Sequence, residues 1–149
     1  MVEAIEPIDP DADVVIVSPA RELQTVAVVA VGGVAGAVGR YEAGLRWPTG
    51  ATAFPWTTLE INLLGSVALA VLVVLATEAW PARWWLRPLI GTGVIGGFTT
   101  FSTFAVDIRR LLAHGHAGIA LAYVAATLGG CAVLSWAGLA FTRRLVQAR

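Results

Sequence analysis

Charge is what this chain has least of. Asp, Glu, Lys and Arg make up 13% of its 149 residues, against 57% hydrophobic ones; a soluble domain carries about 25% charged residues, so that class is excluded. All ten basic residues are arginine, and the missing lysine is a compositional bias from which no function follows. The formal net charge is zero, which points away from nucleic acid or an acidic macromolecular partner. With Cys131 as the one cysteine no intramolecular disulfide is available, and the redox compartment stays open. His114 and His116 stand in the short stretch Ala113-His114-Gly115-His116 without further ligands nearby, which reads as a solvated connection and not a metal site. There is no nucleophile–base pair, metal cluster or phosphate loop, so enzyme activity is not expected.

What the chain has instead is long apolar runs. Gln24–Leu45, Phe54–Thr77, Trp85–Val106 and Gly118–Thr142 are each near the ~20 residues that cross a ~30 Å hydrocarbon core. Pro88–Val106 and Ala117–Thr142 hold no charged residue, whereas the first two runs reach this length only with Arg40 and Glu60 inside the membrane. The pattern predicts an all-α membrane protein with four transmembrane helices over residues 23–145, a flexible acidic N-terminal tail at 1–22 and a short C-terminal tail at 146–149. The N-terminal stretch carries six acidic residues, with Pro7, Pro10 and Pro19, and has neither the basic start nor the apolar core of a signal peptide. Trp47, Trp56, Trp80, Trp84 and Trp85 fall at the predicted span ends, where aromatic rings prefer the headgroup zone. Arg21, Arg83, Arg87, Arg143, Arg144 and Arg149 would share one side of the membrane and Arg46, Arg109 and Arg110 the other. That is a weak orientation signal, compatible with insertion both ways.

The third run contains Gly96-Gly97-Phe98-Thr99-Thr100-Phe101-Ser102-Thr103-Phe104. In lipid every backbone polar group must be satisfied, and non-helical backbone is tolerated only against protein or an aqueous path. The run therefore reads as a break in the third helix at an ion site; a helix contact built on small residues is the bland alternative. Glycines at 32, 33, 36 and 39 and the small residues Ala125, Ala126, Gly129 and Gly130 favour close helix approach. Four short spans enclose little volume, so an oligomer with a shared pore lining is expected.

Several polar and aromatic residues align along these helices. Thr58 and Asn62 lie four apart on one face of the second span, fit either to line a pore or to bind a partner helix. Phe101 and Phe104 share a face of the third, and their positive ring edges suit an anion as well as plain packing. Tyr123, Thr127 and Cys131 recur at intervals of four on the fourth, a hydroxyl and thiol stripe that serves ion dehydration or interhelical contact equally.

Taken together, Gly32-Gly33-Val34-Ala35-Gly36-Ala37-Val38-Gly39-Arg40-Tyr41, Thr58-Leu59-Glu60-Ile61-Asn62-Leu63-Leu64-Gly65-Ser66 and the Gly96–Phe104 run resemble the three ordered motifs of the Fluc/CrcB fluoride channel family. The resemblance covers the chain from Gly32 into the fourth span. It implies a multi-pass protein of the bacterial plasma membrane that exports fluoride passively, built as an antiparallel, dual-topology dimer with two narrow pores. The dimer would be a homodimer or a heterodimer with an inverted relative. By the same resemblance Asn62 is the pore amide, and Phe101 and Phe104 present ring edges to fluoride. A structural sodium ion at the dimer centre takes backbone carbonyls from Gly96 and Thr99 of each subunit. Thr58, Thr103, Tyr123 and Thr127 join the polar track.

Two positions depart from the family pattern, Thr57 before the second motif and Glu60 within it. Glu60 lies ~200° around the helix from Asn62, and Arg40 falls at similar depth, so an Arg40–Glu60 ion pair is expected. A small proton-coupled multidrug or metabolite transporter using Glu60 is the competing reading, and it leaves the Gly96–Phe104 run unexplained. A third is a membrane subunit without transport of its own.

Overall fold

The computed structural model describes residues 18–148, and it is helical throughout, with no strand among the described residues. Of the acidic tail, residues 1–17 lie outside the described residues. The first span is a helix over Pro19–Arg46. A proline in the first turn loses nothing, because its missing N–H would have no partner there; Glu22 near the start and Arg46 at the end complement the helix dipole. This helix starts inside the stretch assigned to the tail, and the fourth span runs to Gln147. The helices thus pass both limits drawn from hydropathy, since polar and basic residues extend a helix into the headgroup layer after the apolar run ends.

The second span, Trp56–Ala79, finishes in a π-helical turn, Leu75–Ala79, closed by Trp80 N–H donating to the Leu75 carbonyl at 2.7 Å. The third span, Arg87–Ala113, is the irregular one. It is π-helical over Arg87–Ile95, makes one α turn at Gly96–Phe98, opens at Thr99 and Thr100, and restarts as an α-helix over Phe101–Ala113. After a turn in which Gly115 takes φ 79°, the fourth span fills Ala117–Gln147.

Glycine decides how these helices pair. The first span lies along the third, and a Cβ added at Gly36 would collide with the Val94 carbonyl. The second lies along the fourth, with Gly130 against Leu63 and Gly138 against Ala70, whereas Gly129 faces open space. Two apolar clusters mark the second span's length, Leu59 with Phe104 and Tyr123 near its start, and Leu72 and Ala76 with Leu86 and Ile95 near its end. Even so, the apolar windows of the four spans are only 11–39% buried. Their outer faces, with Val31, Val34, Leu64, Leu121 and Trp136 exposed, need lipid or another chain to cover them. Length, composition and this exposure describe a multi-pass membrane protein.

Replacing Gly36 by alanine should lower stability by about 1–3 kcal/mol, because the contact beneath it is backbone and cannot repack. Thermal unfolding in detergent reads the loss, and Gly118→Ala, with nothing within 4 Å of the added Cβ, should not lower the unfolding temperature.

Candidate functional site in the membrane-embedded break

At the break the chain leaves helical geometry, with Thr99 at φ −73°, ψ 157° and Thr100 at φ −150°, ψ 123°. A continuous helix would send the Thr100 N–H back to the Gly96 carbonyl. Here it donates to Asn62 Oδ1 at 2.9 Å, and Asn62 Nδ2 donates to the Thr100 carbonyl at 3.1 Å. One side-chain amide thus replaces the helix bond that the Thr100 N–H has lost and adds a bond to its carbonyl. Thr100 Oγ1 then accepts the Thr103 N–H at 3.1 Å and caps the restarted helix. Span one contributes Arg40, whose Nε donates to the Gly97 carbonyl at 3.1 Å. The Thr100 and Thr103 N–H groups, which would bond the Gly96 and Thr99 carbonyls in a continuous helix, are thus both taken by side chains.

Beside the break opens a cleft of about 470 Å³. It is lined by Asn62, Gly65, Ser66, Gly96, Thr99, Phe101, Phe104, Thr127 and Cys131, with Leu69, Ile95, Thr100 and Leu128. Most residues that the sequence singled out therefore meet here. Phe101 and Phe104 are in ring contact, centroids 5.8 Å apart, yet they differ in setting: Phe104 is 7% exposed and Phe101 79%. Tyr123 is fully buried between Phe54 and Phe104. The hydroxyls of Tyr123 and Thr127 are buried without a hydrogen-bond partner among the described residues, a state that normally calls for water or a ligand.

A second cleft, about 530 Å³, lies on the other side of Thr100 and is lined by Arg40, Thr58, Thr103, Asp107 and Arg110 among others. Thr58 and Thr103 face this cleft and not the first. Asp107 is the residue that sequence reasoning passed over. It is 5% exposed, accepts from Thr58 Oγ1 at 2.9 Å and pairs with Arg110 Nη2 at 3.0 Å. The spacing held a signal for it: Asp107 follows Phe104 by three and precedes Arg110 by three, so it neighbours each of them on the surface of the restarted helix.

The expected Arg40–Glu60 pair does not form. Arg40 turns to Gly97 because the glycines of span one press it onto span three, with little contact to span two. Glu60 is exposed on the outer face beside Leu63, Leu64, Val67 and Leu134. It sits in the first turns of its helix, so the headgroup layer is within reach of its carboxylate.

The model of the family described as CrcB-like protein, Camphor Resistance (CrcB), matches residues 27–139. Among similar proteins, the fluoride-specific ion channel FluC 2 of Streptomyces avermitilis is 55% identical over 103 residues, 69% of this chain and 65% of that one, so the match spans just under two thirds of the relative. The fluoride-specific ion channel FluC 1 of Streptomyces coelicolor is 49% identical, covering 83% of this chain and 80% of the relative. A third, the fluoride-specific ion channel FluC of Rhodospirillum centenum, is 41% identical over 83% of this chain and 99% of its own length.

Asp107→Ala leaves the Arg110 guanidinium largely buried without its carboxylate. The expected cost is about 3 kcal/mol, the low end of the range for breaking a buried pair, because Arg110 keeps 29% side-chain exposure. A double-mutant cycle with Arg110→Ala, read by chemical unfolding in detergent, should show coupling of at least ~1 kcal/mol.

Proposed function

The chain belongs to the CrcB family, and from that premise we propose that it is a fluoride-selective channel that lets fluoride leave the cytoplasm passively. The observation that carries the reading is the cleft at the break, where the Asn62 amide, the Phe101 and Phe104 rings and the Thr127 hydroxyl converge. Fluoride is small and tightly hydrated. Compact N–H, O–H and ring-edge donors in narrow file replace its water, while the same spacing penalises a larger halide. One Asn62 N–H is committed to the Thr100 carbonyl, which leaves the other for an ion. The Tyr123 and Thr127 hydroxyls, with no hydrogen-bond partner among the described residues, are the next donors along the fourth span.

No energy source is required. Hydrogen fluoride crosses a bilayer as the neutral acid and ionises in the less acidic cytoplasm; an interior-negative potential then drives the anion outward by ~2.3 kcal/mol per 100 mV.

The working unit in this reading is an antiparallel, dual-topology dimer, of two copies or of this chain with an inverted relative. Phe101, 79% exposed beside a half-open cleft, and the large uncovered apolar faces fit that arrangement. A structural sodium ion belongs to the same reading. Its fit rests on the Gly96 and Thr99 carbonyls, which have lost their helix donors and line the cleft; carbonyl oxygens suit a hard, singly charged cation. When bound, the ion supplies positive charge that holds four such carbonyls together. A proton-coupled transporter working through Glu60 finds no support, since Glu60 lies on the outer face, away from both clefts.

Liposomes loaded with fluoride and containing this chain should release the ion when a potassium ionophore relieves charge build-up, and chloride-loaded vesicles should not. Equal chloride flux, or a requirement for a proton gradient, sinks the proposal. The sharper test is Phe101→Ile. A hydrogen-bond-like contact to an ion contributes about 1.5–3 kcal/mol, so flux should fall roughly tenfold or more. Phe101 is largely exposed within the chain, so its loss does not empty the core, as Phe104→Ile would. Asn62→Asp should also abolish flux, with some loss of stability because the break loses one of its two clamping bonds.

A further inference from the structure

We propose that Arg40 is a positioning residue for the cation site: by taking the Gly97 carbonyl it fixes the peptide planes that turn the Gly96 and Thr99 carbonyls toward the ion. The proposal rests on the sodium reading given above. Gly96 and Gly97 are adjacent, and two successive glycines give the backbone wide freedom in lipid, where nothing in their own side chains restrains it. Two contacts from span one remove that freedom. Gly97 lies directly on the backbone of Gly33, and Arg40 Nε holds the Gly97 carbonyl at 3.1 Å from a half-buried position. With Thr100 clamped by Asn62, both ends of the break are pinned by side chains from other spans.

Charge is not a sufficient reason for an arginine here. A guanidinium near a bound cation repels it, and the two line different clefts: Arg40 lines the one with Asp107 and Arg110, whereas Gly96 and Thr99 line the other. What Arg40 offers the break is a planar donor in a fixed direction, which a lysine ammonium on its flexible stem does not reproduce.

The test uses full-length protein carrying Arg40→Met or Arg40→Lys, with two readouts. One is the rise in unfolding temperature when sodium chloride replaces N-methylglucamine chloride, and the other is the sodium concentration at half-maximal fluoride flux from liposomes. The parent should be stabilised by sodium. Both variants should need at least tenfold more sodium in each readout, with Arg40→Met recovering flux at saturating sodium. The proposal fails if either variant keeps the parent's sodium midpoint, or if Arg40→Met flux stays low at every sodium concentration, which would mark a role in attracting the anion. It fails equally if unfolding temperature drops by the same amount with and without sodium, the signature of packing alone. A parent indifferent to sodium removes the cation reading itself, a result separate from any Arg40 effect. If Arg40→Met does not fold, the comparison between parent and Arg40→Lys decides.

Discussion

Everything in this structure turns on the exchange of hydrogen bonds between Asn62 and Thr100. A helix opened in hydrocarbon leaves peptide groups that no water satisfies, at several kcal/mol each. Asn is suited to the exchange, because one amide offers a donor and an acceptor in the geometry of a peptide and meets both groups of Thr100, at 3.1 and 2.9 Å. Thr100 repays the exchange with its own hydroxyl, which caps the next helix. The break is thus a stable feature of the fold and not a local weakness.

From that clamp follows the division of the site into two clefts. Thr100 lines both, and side chains on either side differ in kind. Asn62, Phe101, Phe104 and Thr127 give the first its compact donors and ring edges. Arg40, Asp107 and Arg110 give the second its charges. Separation matters because a carboxylate in the first cleft would repel an anion, while Asp107, held by Thr58 and Arg110, has its charge balanced at a distance. The glycines of span one make this possible: without side chains at 32 and 36 the span approaches the third closely enough for Arg40 to reach Gly97.

The spans, their order and the location of the break were legible in the sequence, because hydropathy over ~20 residues and a cluster of helix-weakening residues are signals internal to one segment. Asn62, Phe101 and Phe104 also come together at the break as the motifs suggested. The failures concern relations between segments. Arg40 and Glu60 matched in depth, yet depth says nothing about which helix turns toward which; that was decided by close packing at Gly36, against the Val94 backbone of span three. Asp107 was overlooked because it lies past the apolar run, where a charge reads as headgroup contact, although Thr58, forty-nine positions earlier, supplies its buried partner. The π winding of Arg87–Ile95 left no trace in the pattern of apolar residues.

A single chain holds only part of what its own chemistry asks for. Phe104 is packed in the core while Phe101, in ring contact with it, is 79% exposed, and an aromatic edge open to lipid has no anion to meet. Gly96 is exposed too, and its carbonyl has lost the Thr100 N–H, its helix donor, to Asn62. Both groups lie on the same cleft. An unsatisfied carbonyl in hydrocarbon is costly, so the chain by itself is a poor end state, and one further surface closing over this cleft would answer both deficits at once. An inverted partner is the economical candidate, because its own Gly96 and Thr99 carbonyls would complete the oxygen set for a cation while its apolar faces cover the rings. Assembly and function would then share one cause, the cost of leaving the break uncovered.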